Sequence, residues 1–313
     1  MQPACHNNYS IAIKTSCGKS LGMGHIQRMS SLLWFLNEQK KIKTALIADS
    51  IPEHFPAELK RYIKPDFDFI PELIIRDMRD SYAEEITRLK KISKVLVIDD
   101  NGPGRKNADI AIDILPNPDT AGKNFNAGIF IYGYNFLKAV NSLNNKLIKK
   151  ETDFSVYPGN SADTEYINFL ISLLPEDSAF AVLNGRNSFI TNKNKKTAIN
   201  DSPEAYANII LSSKSLISHF GITLYEGFAS GCRIFTVNPG KYHSHLADMA
   251  KEHLRLVNLG EYNSLDIEKA RLLIKENISK PLCTEINAGD VYKKIISGLD
   301  NFCGLLLNLM QKT

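Results

Sequence analysis

Three clusters of residues in this chain have types and spacings suited to chemistry. The first is Gly22-Met23-Gly24-His25-Ile26-Gln27-Arg28, where a histidine follows flexible glycine backbone and stands at the start of a helical pattern. An imidazole so placed can serve as a general base; the alternative is a core histidine on an apolar helix face. Gly22, Gly24 and the helix amino end also suit a phosphate, because free amides and the helix dipole favour an anion there. Two familiar phosphate motifs fail on spacing. The glycine that should precede Gly18-Lys19-Ser20 in a nucleoside-triphosphate loop falls at Ile13, and the third glycine of a dinucleotide fingerprint falls at Gln27.

The second cluster is Ser218-His219-Phe220-Gly221-Ile222-Thr223-Leu224-Tyr225-Glu226, which reads as a strand end, a glycine, a hydroxyl at a helix start and an acid one turn inside. Such a helix start can bind a diphosphate through backbone amides, with Thr223 as the cap. Glu226 then either accepts hydrogen bonds from two ribose hydroxyls or is a solvated acid on an ordinary capped helix. Gly231 closes this helix as a left-handed carboxyl cap. The third cluster is Asp80-Ser81-Tyr82, in which Asp80 reads as an amino cap and Tyr82 as a phenol able to orient an imidazole or a water. His243-Ser244-His245, with Asp248 and His253, has the composition of a metal site. Its spacing is wrong, since His243 and His245 point in different directions on a helix and no third ligand follows at a suitable interval. These histidines are read as surface or cleft-lining groups, and no metal is expected.

The elements that must position these residues alternate. The first half reads as strand 10–16, helix 25–38, strand 43–49, helix 53–63, strand 67–70 and helix 81–91. Next come Lys94-Val95-Leu96-Val97-Ile98-Asp99-Asp100, a buried strand ending in two acids, and short apolar runs at 108–114 and 128–132. The chain from Asn135 to Glu151 is amphipathic and lysine-rich without a strand signal, and the domain boundary is placed there. The second half repeats the design, with strands at 153–157, 179–183, 215–218 and 233–237 and helices to Leu174, at 202–211 and at 223–229. A lysine-asparagine loop is expected at 192–196. This alternation implies crossover units and parallel sheets in two domains, 1–150 and 151–313, facing a central cleft.

Composition narrows the function. The chain has 313 residues, 43% of them hydrophobic, enough for two cores. A formal charge of only +4, with no long basic block, argues against a nucleic-acid footprint. Five scattered cysteines without a Cys-x-x-Cys pair fit a reduced, cytoplasmic protein. The polar segment 1–9 lacks a signal core. The run Cys303-Gly304-Leu305-Leu306-Leu307-Asn308-Leu309-Met310 is too short to span a bilayer, and is expected to pack as a terminal helix.

Taken in order, Gly-x-Gly-His-x-x-Arg at 22–28, Asp-Ser-Tyr at 80–82, Val-Ile-Asp-Asp at 97–100, Gly159 after a strand and Thr-Leu-Tyr-Glu at 223–226 resemble one family. They are similar to the nucleotide-sugar hydrolases of pseudaminic acid biosynthesis, the UDP-2,4-diacetamido-2,4,6-trideoxy-β-L-altropyranose hydrolases, which share the GT-B architecture of the lipid II glycosyltransferases. The resemblance spans nearly the whole chain. It implies an α/β fold of GT-B type and His25 as the base that deprotonates water for attack on the anomeric carbon, with UDP departing. Tyr82 would assist His25 or the water, and Arg28 would hold the loop or the pyrophosphate. The substrate would be bound by Gly22, Gly24, Asp80, Gly159, Asn160, Gly221, Thr223, Leu224, Glu226 and His243, with backbone near Ile199 and Asn200 at the uracil. No cofactor is implied. Three departures bear on recognition: Phe220 and Ile222 interrupt a small-residue run and would narrow the diphosphate loop, His243-Ser244-His245 replaces an Asn-Gln pair, and Pro158-Gly159-Asn160 replaces paired glycines.

Two other readings stay open from the sequence. A GT-B glycosyltransferase would use the same base on an acceptor hydroxyl, and a catalytically silent nucleotide-sugar binding protein would need neither His25 nor Tyr82.

Overall fold

Runs of β-branched and aliphatic residues set the strands, and the strands set two sheets. In the computed structural model the described residues are 9–18, 23–53, 55–66, 69–78, 80–117, 130–159, 162–184, 188–192, 195–198 and 202–311. The chain divides into two units, Met1–Tyr134 with Ile296–Thr313, and Asn135–Ile295.

In the first unit β1 (Ser10–Thr15) leads to α1 (Gly24–Trp34), whose last turn widens over Phe35–Gln39, and then to β2 (Lys43–Ala48). A 3-10 turn at Ala57–Tyr62 stands where a helix was expected. There follow β3 (Leu73–Asp77), α2 (Ala83–Lys90), β4 (Lys94–Ile98) and β5 (Ile110–Ile112). The five strands are parallel in the order β2-β1-β3-β4-β5. The strand expected at 67–70 is in fact β3, several residues later, because Leu73, Ile74 and Ile75 are the residues that can be buried on both faces. Phe67 and Asp68 lie outside the described residues, as do 128–129; Phe130–Tyr132 form no strand.

The second unit opens with α3 (Tyr134–Ser142) and the short β6 (Leu147–Lys149), in a stretch that carried no strand signal. It continues through β7 (Thr152–Tyr157), α4 (Thr164–Ser172), β8 (Phe180–Val182), β9 (Phe189–Asn192), β10 (Lys195–Ala198) and α5 (Pro203–Ser212). Then come β11 (Ser213–Ser218), α6 (Ile222–Ala229), β12 (Arg233–Asn238), α7 (Lys241–Leu254), β13 (Leu256–Glu261), α8 (Ile267–Ile278), β14 (Glu285–Asn287) and α9 (Ala288–Gln311). The sheet order is β10-β9-β8-β7-β11-β12-β13, parallel from β8 to β13, with β9 and β10 an antiparallel hairpin where a polar loop was expected.

The division falls at residue 134 rather than near 150, and the last residues rejoin the first unit. β6 pairs β14 inside the second unit, which draws 135–149 into it. The end of α9 belongs to the first unit: Lys94 Nζ donates to Leu309 O, and a Cβ on Gly298 would lie 2.4 Å from Phe130 O. Leu299, Phe302, Leu306 and Met310 give α9 the apolar face expected of a terminal helix. Among the described residues no helix is long and apolar enough to cross a membrane.

Both units share one connectivity. From the first strand the chain adds β2 (or β8) on one side and later β3 (or β11) on the other, so in each sheet the strand order reverses between two adjacent parallel strands. Ligands of open α/β sheets bind outside the carboxyl ends of the strands at such a reversal. His25, Asp80 and Tyr82 lie in connections leaving β1 and β3; Gly159, Gly221 and Thr223 lie in those leaving β7 and β11.

Candidate functional site

In the first unit His25 and Arg28 sit one turn apart on α1 and reach the same carboxylate. His25 Nδ1 is 2.8 Å from Asp77 Oδ1, and Arg28 Nε donates to Asp77 Oδ2 at 2.6 Å. Asp77 closes β3 opposite Thr15, the last residue of β1, whose hydroxyl donates to the Asp77 carbonyl at 2.9 Å. A fully buried carboxylate would normally resist ionisation. Burial does push Asp77 up, but Arg28 and His25 outweigh it and hold the group down at about 2. Ionised Asp77 can only accept, so the His25 proton stays on Nδ1 and Nε2 carries the lone pair in the neutral ring.

Arg28 is itself 3% exposed and also pairs through Nη1 with Asp99 Oδ2 at 2.7 Å. Burial opposes its charge, and Asp77 and Asp99 more than restore it, so the guanidinium is raised above its ordinary value. Arg28 thus joins the acids that close β3 and follow β4, and a pyrophosphate contact would require these buried pairs to break. Asp99 follows β4 with φ +49°, and its Oδ1 accepts the amides of Ile114 and Leu115 at 2.8 and 3.0 Å.

Tyr82 is 70% exposed at the amino end of α2, on the connection adjacent to that of His25, and its phenol makes no hydrogen bond among the described residues. Asp80 does not cap α2. Tyr82 holds the cap position without a side-chain bond, while Asp80 Oδ1 accepts the amide of Asn101 at 3.1 Å. The loop is tied down by Asp100, which accepts from the amides of Ser81 and Gly102 at 3.0 and 2.8 Å. Gly24 is the first residue of α1, with open space where a Cβ would stand. Gly22 lies outside the described residues, as do Asn160, Ile199 and Asn200.

In the second unit Gly221 stands at the cap of α6 with no side-chain bond to the first turn, and its carbonyl accepts the Leu224 amide at 3.1 Å, so no side chain covers the amides of Ile222 and Thr223 among the described residues. Thr223 is therefore not the cap. It lies one position inside the first turn, with Oγ1 3.1 Å from the Tyr206 hydroxyl. That hydroxyl donates to Glu226 Oε2 at 2.6 Å, and Glu226 is 4% exposed, which removes the solvated-acid reading. Burial and the neighbouring Glu226 push the Tyr206 phenol well up, so it stays a neutral donor. Leu224 is fully buried and packs α6 on the sheet; Gly231 has φ +71°, as its left-handed cap role requires.

Phe220 does not intrude on the loop. Its ring turns inward toward Tyr225, centroids 6.4 Å apart, while its amide donates to Asn238 Oδ1 at 2.9 Å. His219 fills the space beside Gly159, where φ is +99° and a Cβ would lie 3.0 Å from the His219 ring. Burial, and then His243, push the His219 imidazole down to about 4. His243 stands in the first turn of α7 with its ring 6.3 Å from that of His219. Among the described residues no three His, Cys, Asp or Glu side chains converge as metal ligands.

Asp77 and Tyr206 stand outside the motifs read from the sequence, and Asp99 and His219 stand within them without an assigned role. Asp77 carried a usable signal, an aliphatic run closed by an acid like that at Ile98-Asp99; Tyr206, on a neighbouring helix, carried none.

No family model matches the chain, and no curated protein sequence matches it. Solved structures do. The glycotransferase of kitacinnamycin matches over 96% of this chain and 98% of its own, at TM-score 0.57 and 11% identity. The fold is GT-B. A Listeria monocytogenes protein assigned as a UDP-N-acetylglucosamine 2-epimerase matches over 97% and 98%, at TM-score 0.51 and 8% identity. The Staphylococcus aureus protein MnaA, solved with UDP, matches over 93% and 91%, at TM-score 0.50 and 10% identity. A GT-B architecture is thus common to these proteins and this chain, whose two Rossmann-like units each carry the strand reversal described above.

Proposed function

We propose that the protein hydrolyses a UDP-activated amino sugar, with His25 as general base. The observation that carries this reading is the His25–Asp77 pair, which fixes the tautomer and leaves Nε2 as a basic atom at the strand reversal of the first unit. Water loses a proton to Nε2 as its oxygen attacks the anomeric carbon. The C1–O bond breaks, its electron pair leaves on the β-phosphate of UDP, and His25 later returns its proton to solvent. Arg28 holds Asp77 in place, and Tyr82, exposed in the adjacent connection, orients the water or the sugar.

UDP is assigned to the second unit. The Ile222 and Thr223 amides at the start of α6, with Gly221, take the diphosphate, and Glu226, aligned by Tyr206, accepts the ribose hydroxyls. Gly159 and His243 border the same strand ends. The sugar-nucleotide enzymes that share the fold support this assignment, as does the sequence resemblance to pseudaminic acid biosynthesis. A soluble sugar nucleotide acted on in the cytoplasm, without a cofactor, fits the composition.

A glycosyltransferase is the second reading, because the same His25 Nε2 activates an acceptor hydroxyl as readily as water. Incubation with a panel of UDP-amino sugars, with and without acceptors, separates the two. UDP release without acceptor is expected; strict acceptor dependence rejects hydrolysis. His25→Asn should abolish release while UDP affinity by calorimetry stays within a few-fold, and normal turnover in that variant overturns the mechanism.

A further inference from the structure

We propose that Arg28 and Asp99 are a charge-setting pair behind His25: positioning residues that govern how readily the base holds a proton, Asp99 acting through Arg28. The inference deepens the reading of His25 as the base and rests on it.

Two opposed charges meet the Nδ1 edge of the imidazole. Asp77 Oδ1 at 2.8 Å favours the imidazolium, while Arg28 Nη2 at 3.3 Å from the same nitrogen disfavours it. Asp77 comes from β3, Arg28 from the same helix as His25, and Asp99 from the end of β4, reaching the ring only through Arg28. The guanidinium is shared between two carboxylates, so its net effect on His25 depends on Asp99. Burial pushes the Asp99 carboxyl up and Arg28 opposes that; with both acids ionised the trio carries one negative charge, which removal of Arg28 makes more negative and removal of Asp99 makes less so.

Asp99 is built for this contact. Asp99 takes φ +49°, a left-handed conformation that Asp and Asn adopt more readily than other non-glycine residues. Here the Asp99 amide donates to Ile112 O at 2.9 Å and its Oδ1 accepts two further amides, leaving Oδ2 aimed at Arg28.

The test is the pH profile of kcat/KM for UDP release, paired with the pH at which the His25 Cε1–H signal changes in proton NMR, assigned by its loss in His25→Asn. Arg28→Gln should move the acid limb and the NMR transition up by about one pH unit, because Asp77 is left uncompensated. Asp99→Asn should move both down by about half a unit, because Arg28 then acts on the ring undivided. Arg28→Lys, which keeps the charge, should leave both near the wild-type position. A packing role alone would lower rate or stability without opposite shifts. If Arg28→Gln does not fold, Asp99→Asn and Arg28→Lys still decide: coincident profiles for Asp99→Asn and wild type overturn the proposal. Absence of turnover in the wild type would instead overturn the functional reading, and the NMR transitions would still judge the charge pair.

Discussion

His25 Nδ1 and Asp77 Oδ1 meet at 2.8 Å across the gap between β1 and β3, the two strands at which the first sheet reverses its order. A helix-borne imidazole and a strand-borne acid are thereby joined where the strand order reverses, the position at which open α/β sheets bind ligands. Asp77→Asn tests what the acid does. An amide can donate to Nδ1, which reverses the tautomer and places the proton on Nε2, so kcat for UDP release should fall about 10³-fold or more. UDP affinity should change little, because the second unit is untouched. A kcat within ten-fold of wild type would show that the tautomer is set by something else.

Glu226 and Tyr206 make a second separable pair. Tyr206→Phe removes the hydroxyl that donates to the buried Glu226 carboxylate at 2.6 Å. UDP should bind about five- to ten-fold more weakly, and Glu226→Ala more weakly still. Calorimetry with UDP and with UMP checks the assignment to ribose: both ligands should lose the same factor. A loss confined to UDP would move Glu226 to the diphosphate.

Much of this was legible in the sequence, for a physical reason. β1, β2, β4, β7, β11 and β12 are apolar runs ended by polar residues, and α1, α5 and α6 begin at recognisable starts, so the alternation and the doubly wound class follow from local pattern. β3 was displaced because Phe67, Phe69 and Ile70 are as apolar as Leu73, Ile74 and Ile75. Only tertiary packing distinguishes them, Ile70 being 81% exposed while Ile74 and Ile75 are wholly buried. With β3 displaced, Asp77 could not be seen as a strand-end acid. Local spacing favours caps at Thr223 and Asp80, whereas their partners, Tyr206 and the Asn101 amide, lie 17 and 21 residues away. The return of α9 to the first unit likewise depends on contacts with Lys94 and Phe130 that no local pattern encodes.

Acid should destabilise the protein in two steps. The native His219 imidazole lies at about 4, below its ordinary value, so the unfolded chain binds a proton first and stability falls as pH drops from about 6.5 toward 4. The native Asp77 carboxyl lies at about 2, also below its ordinary value, so a second loss follows from about pH 4 toward 2. Thermal unfolding of His219→Gln should show the upper step flattened, and that of Asp77→Asn the lower. An unchanged upper slope in His219→Gln would mean that another group titrates there.

Gly159 and Gly221 border the same strand ends but should answer differently to alanine. At Gly159 φ is +99°, which an L side chain rarely adopts, and the added Cβ would press on the His219 ring at 3.0 Å. Gly159→Ala should therefore destabilise the protein by about 1–3 kcal/mol and displace His219. Gly221 has φ 173°, extended backbone open to any residue, and its Cβ would meet only His219 Nε2 at 3.9 Å. Gly221→Ala should cost no more than about 1 kcal/mol, the ordinary penalty at an amino cap, and its effect should appear in UDP affinity instead. Differential scanning fluorimetry of both variants, read with UDP calorimetry, separates a glycine required by the backbone from one required by an approaching ligand. Equal losses of stability in the two would remove that distinction.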